Sequence, residues 1–230
     1  MNARARRLVL FAREPVPGRV KTRLARAVGP AAAASLYEAF LSDLAVALAP
    51  QGNWDAVLAY AEPEPGPVLF ALFAARWTLV PQGEGSLGDR LRRAVARARA
   101  AGPCDVLVAG SDAPTLHVAD ASAAFQALAQ AADVVFAPAL DGGFSLVGVR
   151  EGVEPLDVFP TGARWSSAQA LLDCRMSAVR GGLRVELLST VPDVDEIGDL
   201  ANVEALLAGD PGLAPATRRA LLAWTSGNSR

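Results

Sequence analysis

Lysine, histidine and cysteine are almost missing from this 230-residue chain, and each scarcity removes a class of chemistry. The one histidine, His117, cannot furnish a histidine dyad or a histidine-rich zinc site. Cys104 and Cys174 stand seventy positions apart, which suits neither a disulfide framework nor a zinc knuckle. Reduced, partly buried thiols are the expectation for them. No G-x-S-x-G elbow occurs, so a nucleophilic serine hydrolase lacks support. Long apolar runs are absent too. The run Leu8 to Ala12 follows several arginines but stops at Arg13 and Glu14, too short for a signal core, and no other stretch could span a bilayer. These features predict a cytoplasmic protein with no membrane partner. Net charge is only −2, so no broad basic surface invites nucleic acid, and any basic site must be local.

Hydrophobic residues make up 52% of the chain, enough for a substantial core and too many for a disordered one. Of 22 basic residues only Lys21 is a lysine. The skew looks like coding bias, against which a lone ammonium hints at a site needing its reach and hydration rather than a guanidinium's.

Strand-like apolar runs recur at Leu8–Ala12, Ala56–Tyr60, Thr78–Val80, Val106–Ala109, Val134–Ala137, Phe144–Val149 and Val185–Leu188. Helical patterns lie between several of them. Leu36, Phe40, Leu44 and Leu48 mark one face of a helix opened by Pro30, and Ser86–Ala101 carries Leu87, Leu91 and Val95 opposite arginines before Gly102 ends it. Further helices are predicted at Val118–Ala131, Ser166–Val179, Ile197–Leu207 and Pro215–Trp224. The segment Pro63 to Pro67 reads as a loop. Such alternation implies an α/β fold with a mainly parallel sheet covered on both faces. One domain over residues 1–225 is expected, with residues 226–230 a frayed tail.

In an open α/β sheet, ligands sit beyond the carboxyl ends of the strands. The first strand is followed there by Arg13, Gly18, Arg19, Lys21 and Arg23, the later ones by Asp112, Asp141 and Asp193-Val194-Asp195. A glycine lets backbone N–H groups approach an anion, and a helix starting near Val20 would aim its positive end there. The loop is not a Walker A loop, because Val20 precedes the Lys-Thr pair. A solvated basic surface is its plainer reading, which makes Lys21 a surface-loop cation of little weight in folding. Asp112 and Asp195 could share Mg²⁺, which takes one or two carboxylates plus phosphate oxygens. Alternatively Asp112 caps a turn and Asp195 caps the helix near Ile197. Asp141-Gly142-Gly143 reads as a tight turn between two strands. Trp165-Ser166-Ser167 reads as a core-packing aromatic followed by a helix N-cap.

Taken in order, seven segments resemble a bacterial family of GT-A-like (Rossmann-like) transferases in the nucleotide-diphospho-sugar transferase superfamily. They are Phe11-Ala12-Arg13-Glu14-Pro15, the run Pro17 to Leu24, Gly85 to Arg90, Gly110 to Leu116, Asp141-Gly142-Gly143-Phe144, Trp165-Ser166-Ser167 and Asp193-Val194-Asp195. Together they span roughly residues 8–207. The Lys-Thr-Arg-Leu loop is also similar to that of 2-phospho-lactate guanylyltransferases. Ala113 stands where the family often has Cys, and Phe144 where it often has Tyr. The resemblance implies nucleotide binding by Arg13, Gly18, Arg19, Lys21, Arg23, Gly88 and Arg90, with Lys21, Arg23 and Asp112 catalytic. It implies an acceptor side at Asp141, Gly142, Gly143 and Trp165. Mg²⁺, or Mn²⁺ in its place, would be held by Asp112 and Asp195, with Asp193 an alternative to Asp195.

Three functions compete. The first is Mg²⁺-dependent transfer of a nucleoside monophosphate from a nucleoside triphosphate to a small phosphorylated acceptor, releasing pyrophosphate. The second is glycosyl transfer from a nucleotide-diphospho sugar, whose enzymes usually place an Asp-x-Asp in mid-chain rather than near the end. The third is a nucleotide-binding regulatory module without catalysis. Nucleotide and small-molecule acceptor are the expected partners.

Overall fold

The computed structural model describes residues 4–50 and 52–228. Seven strands form one sheet: β1 (Ala5–Ala12), β2 (Asp55–Tyr60), β3 (Thr78–Pro81), β4 (Cys104–Gly110), β5 (Val134–Pro138), β6 (Phe144–Val149) and β7 (Val185–Leu187). Their order across the sheet is β3-β2-β1-β4-β6-β5-β7. All neighbouring pairs are parallel except β4 with β6 and β5 with β6. The reversal at β6 follows from the Asp141-Gly142-Gly143 turn, which joins β5 to β6 too tightly for a crossover. Central strands need continuous apolar runs because both faces are covered; in β4 every residue but Gly110 is buried.

The period of two in β1 sends Leu8, Leu10 and Ala12 into one core and Val9 into the other. The first core takes α1 (Thr22–Val28), α2 (Pro30–Ala47), α3 (Pro67–Phe73), α5 (Val118–Gln130), α8 (Leu200–Gly209) and α9 (Pro215–Asn228). The second takes α4 (Leu87–Arg99), α6 (Pro155–Val158) and α7 (Ala170–Arg180). In α2, Leu36, Phe40, Leu44 and the following Leu48 are all buried. Burying a side chain of this size stabilises by about 1.5–3 kcal/mol, so Phe40→Ala would cost roughly 3–5 kcal/mol. Among the described residues no helix is long and apolar enough to cross a membrane. Both cysteines are free and fully buried, and burial pushes the Cys174 thiol up to about 12.

Several boundaries depart from the sequence reading. α3 begins at Pro67, where only a loop was expected. It has no side-chain cap of its own; the buried Glu14 carboxylate accepts from Val68 N (2.9 Å) and Leu69 N (3.1 Å) instead. α7 begins at Ala170 rather than Ser166, because Ser166 is left-handed (φ 57°) and Ser167 Oγ donates to the Arg164 carbonyl. The predicted tail is helical through Asn228, since α9 continues past Trp224, and residues 229–230 lie outside the described residues.

Candidate active site

Strand ends β1 and β4 and the segment after β7 meet at one rim of the sheet. Their backbones are tied: Val194 N donates to the Asp112 carbonyl at 2.9 Å. Asp112 and Asp195, from distant parts of the chain, are thereby brought together around one cation, the Lys21 ammonium. Lys21 Nζ contacts Asp112 Oδ1, lies 3.3 Å from Asp195 Oδ1 and donates to the Val194 carbonyl at 2.6 Å. It also faces the Tyr37 ring, 5.7 Å from the centroid. Tyr37 itself shares a 2.7 Å hydrogen bond with Ser111 Oγ, and burial, then the charge of Asp112, raises its phenol pKa.

Lys21 is therefore not a surface-loop cation. Its side chain is 3% exposed, while those of Asp112 and Asp195 are 53% and 40% exposed. The expected helix start near Val20 also gains little as an anion site, because α1 has only seven residues. Cationic side chains carry the loop's charge. Arg13 and Arg19 are exposed and line the cleft described below, and Gly18 supplies the positive φ (78°) of the turn beside them. Arg23 Nη1 lies 3.9 Å from Asp195 and 4.0 Å from Glu196.

Neither alternative job for the two acids is found. Asp112 contacts Lys21 rather than capping a turn. The short helical turn Ile197–Asp199 has Glu196 at its N-cap, and Asp199 inside the turn reaches back to accept from Asp195 N (2.8 Å) and Glu196 N (2.7 Å), so the Asp195 carboxylate is left facing Lys21.

Two clefts flank the pair. The larger, about 570 Å³, is lined by Arg13, Arg19, Lys21, Arg23 and Arg90 among others. Sequence reasoning passed over Gln82, which steadies Arg90 there. Its buried amide donates to the Ala59 carbonyl (2.8 Å) and the Ala12 carbonyl (3.3 Å), which leaves its oxygen to accept from Arg90 Nη1 (3.3 Å). A glutamine after an edge strand carries no signal by itself; only the three strand ends around it give it a role.

The smaller cleft, about 240 Å³, is lined by Asp141, Gly143, Phe144, Trp165, Ser166 and Asp193 among others. Arg23, Asp112 and Asp195 border both clefts. Asp141 Oδ1 accepts from Gly143 N at 2.7 Å, so Asp141 closes its own turn and also faces the cleft. Gly142 has φ 88°, and a Cβ there would collide with the Ala168 carbonyl. At Gly88 a Cβ would stand 2.9 Å from Trp165 Nε1, so the start of α4 packs on that indole.

Carboxylate oxygens of Asp141, Asp193 and Asp195 lie within 4.8 Å of one another. Burial first, then the charge of Asp141, pushes the Asp193 carboxyl up to about 6. Asp195 thus belongs to two acid groups, one with Asp112 and one with Asp141 and Asp193. Each offers the oxygen donors that hard divalent cations take.

No curated protein matches the sequence. Among solved structures, a protein from Desulfovibrio desulfuricans G20, provisionally assigned as a nucleotide-diphospho-sugar transferase, is similar over 95% of this chain and 96% of its own. The identity is 29% and the TM-score 0.85. CMP:2-keto-3-deoxy-manno-octonic acid synthetase complexed with CTP shares the fold at 14% identity and TM-score 0.53, over 90% of this chain and 99% of its own. So does 4-diphosphocytidyl-2C-methyl-D-erythritol synthase from Anaerococcus prevotii DSM 20548, at 8% identity and TM-score 0.55, over 89% of this chain and 99% of its own. The expected GT-A-like α/β architecture is the fold of these transferases. The profile of the family described as "uncharacterized protein conserved in bacteria (DUF2064)" matches residues 44–167, and the chain belongs to that family.

Proposed function

We propose that this chain is a Mg²⁺-dependent nucleotidyltransferase, transferring a nucleoside monophosphate from a nucleoside triphosphate to a small phosphorylated acceptor. The observation that carries this reading is the convergence of Asp112 and Asp195 on one cation position between a cationic cleft and a second, smaller one. An oxygen of the acceptor phosphate would bond to the α-phosphorus while the bond from that phosphorus to the bridging oxygen breaks. Pyrophosphate leaves with the electron pair. The acceptor phosphate is already ionised, so the step needs no general base, which suits a site without histidine.

Arg13, Arg19, Arg23 and Arg90 line the larger cleft and would bind and orient the triphosphate. Lys21 would add a point charge. Asp112 and Asp195 fit a divalent ion because both already aim oxygens at a single cation. Such an ion, Mg²⁺ or Mn²⁺, supplies charge neutralisation of phosphate oxygens when bound. Two solved structures that share the fold are named for the synthesis of cytidylyl compounds, one of them complexed with CTP, which supports a nucleotide as ligand.

One observation favours a second reading, glycosyl transfer from a nucleotide-diphospho sugar. The smaller cleft carries Asp141, Asp193 and Asp195, with Arg23 as its cation. Carboxylates accept hydrogen bonds from hydroxyl groups and repel a phosphate unless a cation intervenes. The test is pyrophosphate release from each nucleoside triphosphate against a panel of phosphorylated metabolites. Pyrophosphate released with one acceptor establishes nucleotidyl transfer. Nucleoside diphosphate released from a diphospho sugar, with no pyrophosphate from any pair, transfers the assignment to the second reading.

A further inference from the structure

Lys21 borders the larger cleft, but its ammonium is already engaged rather than free to await a phosphate. Its ammonium lies between Asp112 and Asp195, capped by the Val194 carbonyl and the Tyr37 ring. To reach that place the residue takes a left-handed backbone (φ 47°, ψ 44°) that L residues seldom adopt. Every other basic residue in the chain is arginine. A planar guanidinium is larger and fork-shaped, whereas an ammonium is a compact charge that fits between two carboxylates as an ion does.

An ammonium in contact with both carboxylates and a divalent cation held by the same two oxygens cannot coexist, because they claim one position and repel. We propose that Lys21 guards the cation site: in the nucleotide-free protein its ammonium holds the position, and a divalent ion gains Asp112 and Asp195 only when Lys21 is drawn away. The agent that draws it away rests on the reading above. The phosphates of an incoming nucleoside triphosphate, bound by Arg13 and Arg19 in the adjoining cleft, offer the ammonium an equivalent anionic partner. Cation and triphosphate would therefore enter together, and free metal would not charge the site. A lysine that serves only as a phosphate ligand makes the opposite demand, since its removal leaves the affinity for free metal unchanged.

Binding of Mn²⁺ alone, followed by the electron paramagnetic resonance of the free ion, separates the two. The full chain should bind Mn²⁺ weakly, and Lys21→Met at least about tenfold more tightly, because a unit positive charge next to the ion has been removed at an effective dielectric of about 20. Adding Asp112→Asn should abolish that gain, and adding Asp141→Asn should preserve it. Unchanged or weaker Mn²⁺ binding in a folded Lys21→Met protein overturns the guard, as does a gain lost with Asp141 instead of Asp112.

Should Lys21→Met fail to fold, the wild type still answers. Lysine-selective ¹⁵N labelling places the label on one side chain. Its signal should ignore Mg²⁺ alone and shift when Mg²⁺ and a nucleoside triphosphate are added together. A saturable shift with Mg²⁺ alone overturns the proposal. A Mn²⁺ gain in Lys21→Met with no response to any triphosphate upholds the guard and overturns the nucleotide reading.

Discussion

Two ion clusters at opposite ends of the sheet are built inside out from one another. At the amino end of β5, the acid is buried. Asp133 has an 8% exposed side chain and accepts from Arg184 N and Arg184 Nε, both at 2.9 Å, with Arg150 closing on its other oxygen. Arg184 projects outward, with 59% of its side chain exposed, and Arg150 is partly buried beside it. At the carboxyl end the cation is buried and the acids are open: Lys21 lies beneath, and Asp112 and Asp195 border both clefts. A buried carboxylate saturated by donors has no oxygen left for a ligand, and here it ties β5, β6 and β7 together. A buried ammonium under two half-exposed carboxylates leaves both acids at the edge of free volume, where a cation that displaces Lys21 can reach them. Which sign is buried, more than how many charges meet, separates a structural cluster from one that can take a ligand.

The sharpest break of this comparison is a pair of substitutions. Asp112→Asn should lower pyrophosphate release by at least about a hundredfold, the scale expected when a charge that organises phosphoryl transfer is lost. Its unfolding midpoint should stay near wild type, because Lys21 keeps Asp195 and the Val194 carbonyl. Asp133→Asn should do the reverse, keeping turnover and lowering the midpoint. Activity assays with thermal melts check both, and a large activity loss in Asp133→Asn would erase the distinction.

The outer cations sharpen it next. Arg23→Ala should weaken triphosphate binding by about tenfold, since one charge-assisted bond to phosphate contributes roughly 1.5–3 kcal/mol, and should leave stability alone. Arg184→Ala should leave nucleotide affinity unchanged. Titration calorimetry of both proteins decides this, with equal affinities counting against the assignment of Arg23.

The smallest effect is one of pH. Hydrogen bonding to Arg184 holds the Asp133 carboxyl below the usual carboxylate range. A depressed folded-state value means that Asp133 binds its proton more readily in the unfolded chain. Its stabilising contribution is therefore complete above the unfolded value of about 3.9 and is lost as pH falls through the folded value. The difference in unfolding midpoint between wild type and Asp133→Asn should hold constant near neutrality and close as the medium is acidified below about pH 4. Melts across that range measure it; a difference that grows on acidification would contradict the ion pairing.

Sequence by itself determined the seven strands, most of the long helices and the rim on which the charged residues gather. Strands buried on both faces require continuous apolar runs, and ligand-side residues must follow their carboxyl ends, so both leave local signatures. Tertiary structure alone decided what those residues do to each other. That Lys21 is buried depends on Asp195, 174 positions away. The cap of α3 comes from Glu14, 54 and 55 positions distant, so the helix could not be seen in its own residues. Glu196, not Asp195, holds the cap position of the helical turn near Ile197, with Asp199 reaching back to the Asp195 and Glu196 N–H groups, and Val194 is paired with the Asp112 carbonyl. Burial and ion pairing arise from chain segments that meet only in the fold, and no local pattern of residues records which acid will face which cation.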